Sequence, residues 1–394
     1  MTHSLSRRDL FKFGGLAAAG LGGASLLAGC GGTSASSSDK TIKIGVLGPF
    51  SGSVAQYGIA CRNGAELYFA NNPSIGDYAV ELDEQDEKGD ATEALNAYNK
   101  MVEDGVIGII GDVTSTPSIA VAQASVADNL PCVTPSATAA EVISFGPNTF
   151  RACVTDPFQG KVMADFAQSQ GWKSVGTIYN NGDDYSTGVN GAFVEEAGKK
   201  GISVPQQSGY QDGDVDFNSQ LTTIISAGVD AIFCPNYYQD DGKIITQARQ
   251  QGFSGPIFGV DGWSNIASGQ YASAADLQNC YYCCSFVATN EDAGVQEFVK
   301  AYKEKFNEDP TNFCALGYDA TNVLAQGIKG ALDAGGDPAK DDFKQAVIDQ
   351  IAKGKVQGVT GAISYDGTGD PVKSTLVISF DADGTEKVFT TIDA

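Results

Sequence analysis

The sequence predicts an α/β protein with two doubly wound, Rossmann-like lobes and mostly parallel sheets. Short apolar runs alternate with longer helical patterns from residue 41 onward, which is typical of βαβ units. The alternation begins again after Asp156, so the chain carries two such series. With 394 residues, the chain also exceeds the size at which a single hydrophobic core stops growing.

The two series predict their elements in order. The first has strands near residues 42–47, 80–85, 106–110 and 131–134, and helices near residues 55–71, 91–104 and 118–128. The second has strands near residues 174–179, 202–210, 231–235, 256–260 and 280–287, and helices near residues 158–170, 187–200, 216–227, 242–251 and 266–274. Residues 293–353 are predicted to be mostly helical, and residues 372–380 and 387–392 to form an antiparallel hairpin.

Three segments are expected to cross between the lobes. This organisation assigns residues 41–156 plus 288–362 to lobe one and residues 157–287 plus 363–394 to lobe two. In doubly wound sheets, ligands bind at the carboxyl ends of the strands, near helix N-termini. Two such lobes that face one another therefore predict a ligand cleft between them.

The first 40 residues are expected to export and anchor the protein. Arg7 and Arg8 precede a short apolar run, as in a twin-arginine signal, and residues 27–30 (LAGC) resemble a bacterial lipobox. We therefore expect a signal peptide over residues 1–29, a lipidated Cys30, and a flexible tether over residues 30–40. This places the mature protein on the extracytoplasmic face of a bacterial membrane. The alternative is a chance cysteine behind an ordinary signal peptide.

Composition excludes several classes of function. The net charge is −23, and removal of the basic signal lowers it to about −25, so nucleic acid is a poor partner. The one histidine, His3, leaves with the signal, which argues against His-dependent catalytic pairs and His-ligated metals. A phosphate-binding GxxxxGK[ST] loop is absent from the sequence. We expect no enzyme activity, no cofactor and no metal.

Eight cysteines remain besides Cys30, mostly in apolar contexts that favour buried thiols. Cys280 and Cys283 have CxxC spacing but lack a second cysteine pair or histidines, so zinc or redox chemistry is weakly indicated.

Polar residues cluster at four predicted strand ends, within residues 48–58, 111–116, 134–138 and 260–263. Hydroxyls and free N–H groups at a helix N-terminus suit a carboxylate, and an acidic side chain in the other lobe suits an ammonium group. The alternative at each position is a local helix cap or turn. Together, at equivalent strand ends, the residues favour ligand binding.

These segments resemble the extracytoplasmic leucine/isoleucine/valine-binding proteins of ABC importers, which have the type I periplasmic binding fold. The resemblance spans residues 41 to about 385. The segments that carry it are 42–52 (IKIGVLGPFSG), 54–58 (VAQYG), 133–138 (VTPSAT), 156–160 (DPFQG), 237–238 (YY), 247–249 (QAR), 259–263 (GVDGW), 315–319 (ALGYD) and 358–361 (GVTG).

The resemblance implies a role for each matching residue. It implies that Ser115 and Thr138 bind the ligand carboxylate, that the Ser136 carbonyl accepts from the ammonium group, and that Asp261 balances its charge. The remaining ligand-binding residues that it implies are Ala137, Tyr57 beside the ligand side chain, and Tyr185 and Tyr237, which close over the ligand from lobe two.

Two positions depart from the family pattern. Asp261 is one methylene shorter than the glutamate of leucine-binding members, and Thr114 stands where the family has a disulfide cysteine. Leucine specificity therefore does not follow from the resemblance.

The predicted function is that of a lipid-anchored receptor, expected to be a monomer. It would capture a small amino acid, branched-chain or similar, and deliver it to the permease subunits of an ABC importer. Three alternatives remain open: a receptor for an amide, urea-type or aromatic acid ligand; a sensory module for a separate signalling receptor; and an enzyme.

Overall fold

The computed structural model describes residues 40–268, 270–365 and 367–392. The predicted signal peptide, Cys30 and most of the tether lie outside these residues. The ten α-helices of the described chain are α1 Ala55–Asn71, α2 Ala91–Glu103, α3 Ser115–Asp128, α4 Asp156–Ser169, α5 Asp184–Lys199, α6 Asn218–Ser226, α7 Tyr238–Gln250, α8 Ala293–Phe306, α9 Asn312–Asp333 and α10 Phe343–Lys353.

The first sheet has six strands within the described ranges. They are β1 Thr41–Gly48, β2 Ser74–Ile75, β3 Tyr78–Asp86, β4 Ile109–Ile110, β5 Cys132–Thr134 and β6 Thr149–Arg151. Their order is β2-β3-β1-β4-β5-β6, and all neighbours are parallel except β2 and β3. The order changes direction beside β1, as in a doubly wound sheet, so the loops after β1 and β4 diverge to form a binding crevice.

The second sheet has seven strands in the described part of the chain. They are β7 Val175–Asn180, β8 Gln207–Tyr210, β9 Ala231–Phe233, β10 Ile257–Gly259, β11 Cys280–Cys284, β14 Thr375–Phe380 and β15 Glu386–Ile392. Their order is β15-β14-β11-β10-β9-β7-β8, with β14 antiparallel to both of its neighbours. A separate hairpin joins β12 Lys355–Gly358 to β13 Gly361–Ser364. Two α/β lobes are therefore present, as the sequence predicts.

Side-chain caps begin several of these helices where the sequence offers them. Asp90 accepts from the N–H groups of Thr92 and Glu93 at the start of α2, and Asp183 accepts from Ser186 N at the start of α5. Each cap satisfies N–H groups that have no partner inside the helix.

Two glycines let α1 and α9 pack closely in the first lobe. A Cβ on Gly64 would lie 2.3 Å from the Cys314 carbonyl oxygen, and a Cβ on Gly317 would lie 2.3 Å from the Cys61 carbonyl oxygen. Both helices lie beside the interlobe cleft, because α1 carries Tyr57 and α9 carries Phe313.

The predicted helix over residues 266–274 is wrong. The structure has a 3₁₀ turn at Ile266–Ser268, and the segment that follows packs against α7. The main chain of Tyr271 lies so close to Gly242 that a Cβ there would be 2.5 Å from the Tyr271 Cβ. Tertiary packing therefore overrides the local helical pattern.

Strands β2 and β6 and the hairpin β12–β13 were not predicted from the sequence.

The eight cysteines of the described residues are all buried and unpaired. Among these residues, no helix is both long enough and apolar enough to cross a lipid bilayer.

Candidate ligand-binding site

Five of the predicted binding residues meet at one cavity between the lobes. Ser115 and Ser136 approach from the first lobe, and Tyr185, Tyr237 and Asp261 from the second. In this closed arrangement the lobes leave a cavity of only about 10 Å³ between these residues. The other residues that line it are Val113, Thr114, Gly262 and Phe313.

The first-lobe wall is suited to an anion. Ser115 is the first residue of α3, so the initial N–H groups of this helix have no partners within it. The Ser115 Oγ accepts from Ala139 N at 3.2 Å, and the Ser136 Oγ donates to the Val113 carbonyl oxygen at 2.7 Å. These bonds join the loops after β4 and β5. They place hydroxyls and the positive end of a helix at the same wall, which favours a carboxylate.

Arg151 holds the loop after β5 in place. Its side chain is fully buried and donates from Nη1 to the Ala137 carbonyl oxygen at 2.8 Å and from Nη2 to the Ala139 carbonyl oxygen at 3.0 Å. Its Nε lies 2.5 Å from Asp370 Oδ1. A guanidinium that donates to two carbonyls in one loop restricts the loop strongly, so Arg151 positions the backbone on both sides of Thr138.

The second-lobe wall is suited to a cation. Asp261 is 4% exposed, and its Oδ1 accepts from the Tyr185 hydroxyl at 2.9 Å. The Asp261 backbone N–H donates to Gln159 Oε1 at 3.1 Å. Burial raises the pKa of the Asp261 carboxyl to about 6, so this group is ionised at neutral pH. An ionised carboxylate in a small cavity is a suitable partner for an ammonium group.

Aromatic rings close the remaining sides. Tyr57 stacks on Phe313 with ring centroids 4.1 Å apart, and Tyr185 stacks on Tyr237 at 5.1 Å. Tyr57 also meets Tyr237 edge to face at 5.6 Å. The rings of Phe313, Tyr185 and Tyr237 place apolar surface next to the two polar walls, and Tyr57 supports Phe313 from behind, which suits a ligand with one charged end and one apolar end.

The lobes are in contact across the cleft. The Tyr57 hydroxyl donates to the Gly262 carbonyl oxygen at 2.5 Å and accepts from Tyr238 N at 3.1 Å. On another side of the cleft, the Thr116 hydroxyl donates to Asp184 Oδ2 at 2.9 Å. These pairs join residues of different lobes, so the structure represents a closed arrangement.

Three predicted site residues do not line the cavity. Tyr57 lies behind Phe313 and takes part in the interlobe hydrogen bonds. Ala137 is fully buried, and its carbonyl oxygen is held by Arg151. Thr138 is buried beside Asp156, whose N–H donates to the Thr138 carbonyl oxygen at 3.0 Å.

The sequence did not single out two residues that the structure places at the site. Phe313 lines the cavity, two residues before the 315–319 segment, and Gln159, which holds the Asp261 backbone, lies inside the 156–160 segment. Both lie in or beside segments that carried the family resemblance, so those segments were the only part of the sequence analysis that pointed to these two residues.

Comparison with known proteins decides the family. A sequence profile of the periplasmic binding proteins matches residues 41–385. The chain belongs to this family. This periplasmic binding protein is 30% identical over 335 residues to the leucine-, isoleucine-, valine-, threonine- and alanine-binding protein of Pseudomonas aeruginosa. The match covers 84% of this chain and 87% of the relative.

Solved structures agree with this assignment. A leucine-binding protein, LivK, from Thermotoga maritima superposes with a TM-score of 0.82 at 30% identity, over 90% of this chain and 99% of that one. The branched-chain amino acid transporter substrate-binding protein LivJ from Streptococcus pneumoniae, in complex with isoleucine, gives a TM-score of 0.81 at 30% identity with the same coverage. The predicted fold and the resemblance to Leu/Ile/Val-binding proteins are therefore confirmed.

Proposed function

We propose that this periplasmic binding protein is a lipid-anchored receptor that captures a small α-amino acid, branched-chain or similar, and delivers it to an ABC permease. In this proposal, residues 41–156 plus 288–362 close against residues 157–287 plus 363–394. The protein acts by binding and closure, without catalysis, as a monomer.

The observation that carries the proposal is the opposed chemistry of the cavity walls. Ser115, with the N-terminus of α3, faces Asp261 across one small interlobe cavity. A zwitterion matches both walls at once, with its carboxylate toward α3 and its ammonium toward Asp261. Closure removes both charges from water, which is favourable only when each of them is paired. The 30% identical relatives are binding proteins for leucine, isoleucine and related amino acids, which supports the same ligand class.

Calorimetry on the mature protein tests the ligand class. The titrated compounds are L-leucine, L-isoleucine, L-valine, L-threonine and L-alanine, together with benzoate, an aliphatic amide and urea. We expect micromolar or tighter binding of at least one amino acid. Binding of benzoate or an amide with no amino acid binding would contradict the proposal and favour the alternative ligand classes.

Substitution of Asp261 tests the ammonium role separately. Asp261→Asn should weaken amino acid binding by at least ~1.5 kcal/mol, because the buried ammonium loses its charged acceptor. Asp240→Asn, at the outer part of the cleft, is the matched control and should keep wild-type affinity. An Asp261→Asn variant with unchanged affinity would reject the ammonium role.

The anchor is tested in cells. The wild-type protein should incorporate a labelled fatty acid and fractionate with membranes, whereas Cys30→Ala should do neither and should be released into the soluble fraction. A Cys30→Ala variant that is still labelled and still membrane-bound would refute the anchor.

Delivery to a permease has its own test. Deletion of the gene should reduce uptake of the labelled amino acid that calorimetry identifies. Unchanged uptake in a strain that otherwise depends on this importer would refute delivery.

A further inference from the structure

Two buried carboxyl groups lie behind the first-lobe wall of the ligand cavity. Glu87 follows β3, Asp112 follows β4, and both side chains are fully buried. Strands β3 and β4 flank β1, so their carboxyl ends meet at the same edge of the first sheet. The two side chains are hydrogen-bonded to each other. Neither residue belongs to the proposed ligand contacts, so the pair needs an explanation of its own.

The hydrogen bond between these groups requires a proton. Glu87 Oε2 accepts from Gly89 N at 2.7 Å and from Asp90 N at 2.9 Å, and Asp112 Oδ1 accepts from Val113 N at 2.5 Å. The remaining oxygens, Glu87 Oε1 and Asp112 Oδ2, are buried and have no other donor within the described chain. An ionised carboxylate only accepts hydrogen bonds, so two of them cannot bond to each other. One proton between these two oxygens satisfies both.

The electrostatics of the pair favour the same proton. Burial raises the pKa of both carboxyl groups, and the negative charge of Asp112 raises the pKa of Glu87 further, to above neutral pH. When two carboxyl groups share one buried site, ionisation of the second is strongly opposed by the charge of the first. At neutral pH, Glu87 is therefore the carboxylic acid that donates, and Asp112 is the carboxylate that accepts.

The groups around the pair do not replace the proton with a cation. Asp86, at the end of β3, adds negative charge beside Glu87. The Cys61 thiol on α1 faces Asp112 and stays neutral, because burial raises its pKa. In the adjoining loop, Lys88 pairs with Glu93 at 3.6 Å, and the Asp90 side chain caps α2. These neighbours increase the cost of a second negative charge at the pair.

The backbone at Asp112 and Val113 supports the anion-binding wall. The Asp112 carbonyl oxygen accepts from the Thr134 hydroxyl at 2.5 Å, and the Val113 carbonyl oxygen accepts from the Ser136 hydroxyl at 2.7 Å. Ser115 follows Val113 by two residues and begins α3. The loops after β4 and β5 are therefore both joined to the backbone that Asp112 holds, so a displacement of Asp112 reaches both of them.

We propose that Glu87 and Asp112 share one proton that positions the loop carrying Ser115, so that its loss to solvent at alkaline pH weakens binding of the ligand's carboxylate. Both are positioning residues, since they act through the backbone of the wall. Loss of the proton leaves two adjacent buried negative charges, which repel each other and also lie behind a wall that binds an anion. The ligand effect rests on the proposed function, whereas the shared proton does not.

Glu87→Gln tests the shared proton without a ligand. The amide oxygen accepts from the N–H groups of Gly89 and Asp90, and the amide N–H donates to Asp112, so the variant keeps the bonds of the protonated pair but cannot ionise. Between pH 7 and 8.5, the wild-type fold holds a proton that the unfolded chain has released. Its unfolding constant should therefore rise about tenfold more per pH unit than that of Glu87→Gln. Urea unfolding measures both slopes, and equal slopes would overturn the proposal.

Two further variants complete the unfolding experiment. Glu84→Gln removes a carboxyl group of the same strand that lies 3.8 Å from Arg62, and it should keep the wild-type slope. Asp112→Asn leaves Glu87 as the one carboxyl group of the pair, so it should show the shallower slope of Glu87→Gln. It also serves where Glu87→Gln does not fold. A wild-type slope in Asp112→Asn, or a shallow slope in Glu84→Gln, would contradict the shared proton.

Calorimetry with L-leucine tests the effect on the ligand. Between pH 7 and 9.5, the Kd should rise at least about threefold more for the wild type than for Glu87→Gln, because the fraction of wild-type molecules with a correctly positioned wall falls. Titration of the leucine ammonium and of Asp261 affects both proteins alike and cancels in this comparison. A purely structural role for Glu87 would change the affinity equally at both pH values, so equal Kd ratios would overturn the positioning role.

The two proposals fail in different ways. If the wild-type protein binds no amino acid, the proposed function fails, and the unfolding slopes still decide the shared proton. If leucine binds and the slopes of the wild type and Glu87→Gln are equal, only the shared proton is refuted.

Discussion

The Tyr57 hydroxyl is a single group that joins the two lobes, and its removal makes closure measurable. In the closed structure it donates to the Gly262 carbonyl oxygen at 2.5 Å and accepts from Tyr238 N at 3.1 Å. Tyr57→Phe removes both bonds and keeps the ring, so the stacking on Phe313 at 4.1 Å is retained. The change therefore affects the interlobe bonds and little else.

The expected effect follows from what the substitution leaves behind. In the closed form, Gly262 and Tyr238 are buried, and each keeps one backbone group without a partner. A stranded buried group costs about 1–3 kcal/mol, so two together destabilise closure by roughly 2–6 kcal/mol. Open lobes expose both groups to water. Because ligand binding requires closure, this cost weakens binding by a factor between about 30 and about 2 × 10⁴.

Three measurements separate closure from folding. Calorimetry gives the affinity, small-angle X-ray scattering with saturating ligand gives the compactness, and urea unfolding gives the stability of the empty protein. Tyr57→Phe should lose affinity with little change in the unfolding midpoint. The matched control is Tyr68→Phe on the same helix, which removes a hydroxyl that bonds within the first lobe, to Asn322 Oδ1 at 3.3 Å.

Two outcomes would refute this reasoning. Wild-type affinity in Tyr57→Phe would show that the interlobe bonds do not limit closure. A fall in stability of the empty protein as large as the fall in binding free energy would show that the hydroxyl supports the fold and not the closed state.

Three further predictions follow from other contacts. Affinity for an amino acid should fall as the pH decreases through about 6, because burial raises the pKa of Asp261 to about 6 and the protonated carboxyl no longer pairs with an ammonium group. Calorimetry at pH 8, 6 and 5 measures this affinity, and an affinity that does not change with pH would contradict the prediction. Gly64→Ala should lower the free energy of unfolding by about 1–3 kcal/mol in urea titrations, since its Cβ would lie 2.3 Å from a backbone oxygen of α9. The control is Gly191→Ala, whose Cβ would meet no atom within 4 Å and which should not lower the free energy of unfolding. Asp319→Asn should destabilise the fold by about 1–3 kcal/mol in the same assay, because the buried Asp319 carboxylate accepts from Thr360 N and Oγ1 and its charge favours the buried Lys373 ammonium, which donates to the same Thr360 hydroxyl. An unchanged unfolding midpoint would rule out that stabilisation.

Most of the fold could be predicted because its signals are local. The predicted helix over 55–71 coincides with α1, and the predicted strand over 42–47 lies inside β1. Strand β6 was missed because it has three residues, two of them polar, and shows no alternation to detect. The helix predicted over 266–274 failed for the opposite reason, since a local pattern was present but packing against Gly242 decided the conformation.

The site could be predicted only to the level of loops. The carboxyl ends of parallel strands meet at one edge, so polar residues after β4, β5 and β10 were expected to converge, and Ser115, Ser136 and Asp261 do. Which of several adjacent residues faces the cavity depends on details of loop geometry, and Thr138 turns away while Ser136 faces in. Phe313 was missed because it follows no strand and reaches the cavity through its contact with Tyr57, more than 200 residues earlier.

The acidic groups of the cleft also explain why closure of the lobes is favourable only when a ligand is bound. Burial in the closed form raises the pKa values of Asp156, Asp183 and Asp261, which means that closure disfavours their ionised forms. In the open form these groups face water and stay ionised at neutral pH, so closing an empty cleft must either desolvate the charges or take up protons.

A bound ammonium removes this penalty by supplying the opposite charge inside the cleft. The ligand's carboxylate would add to the penalty if it were placed on the same wall. In the proposed binding mode it lies instead at Ser115 and the start of α3, where the hydroxyl and the unpaired N–H groups stabilise negative charge. A zwitterion therefore offsets the electrostatic cost of closure at one wall without creating a new cost at the other. An anion that lacks the ammonium leaves the carboxyl groups of lobe two uncompensated, so the same electrostatics that hold the empty lobes apart also select the ligand that closes them.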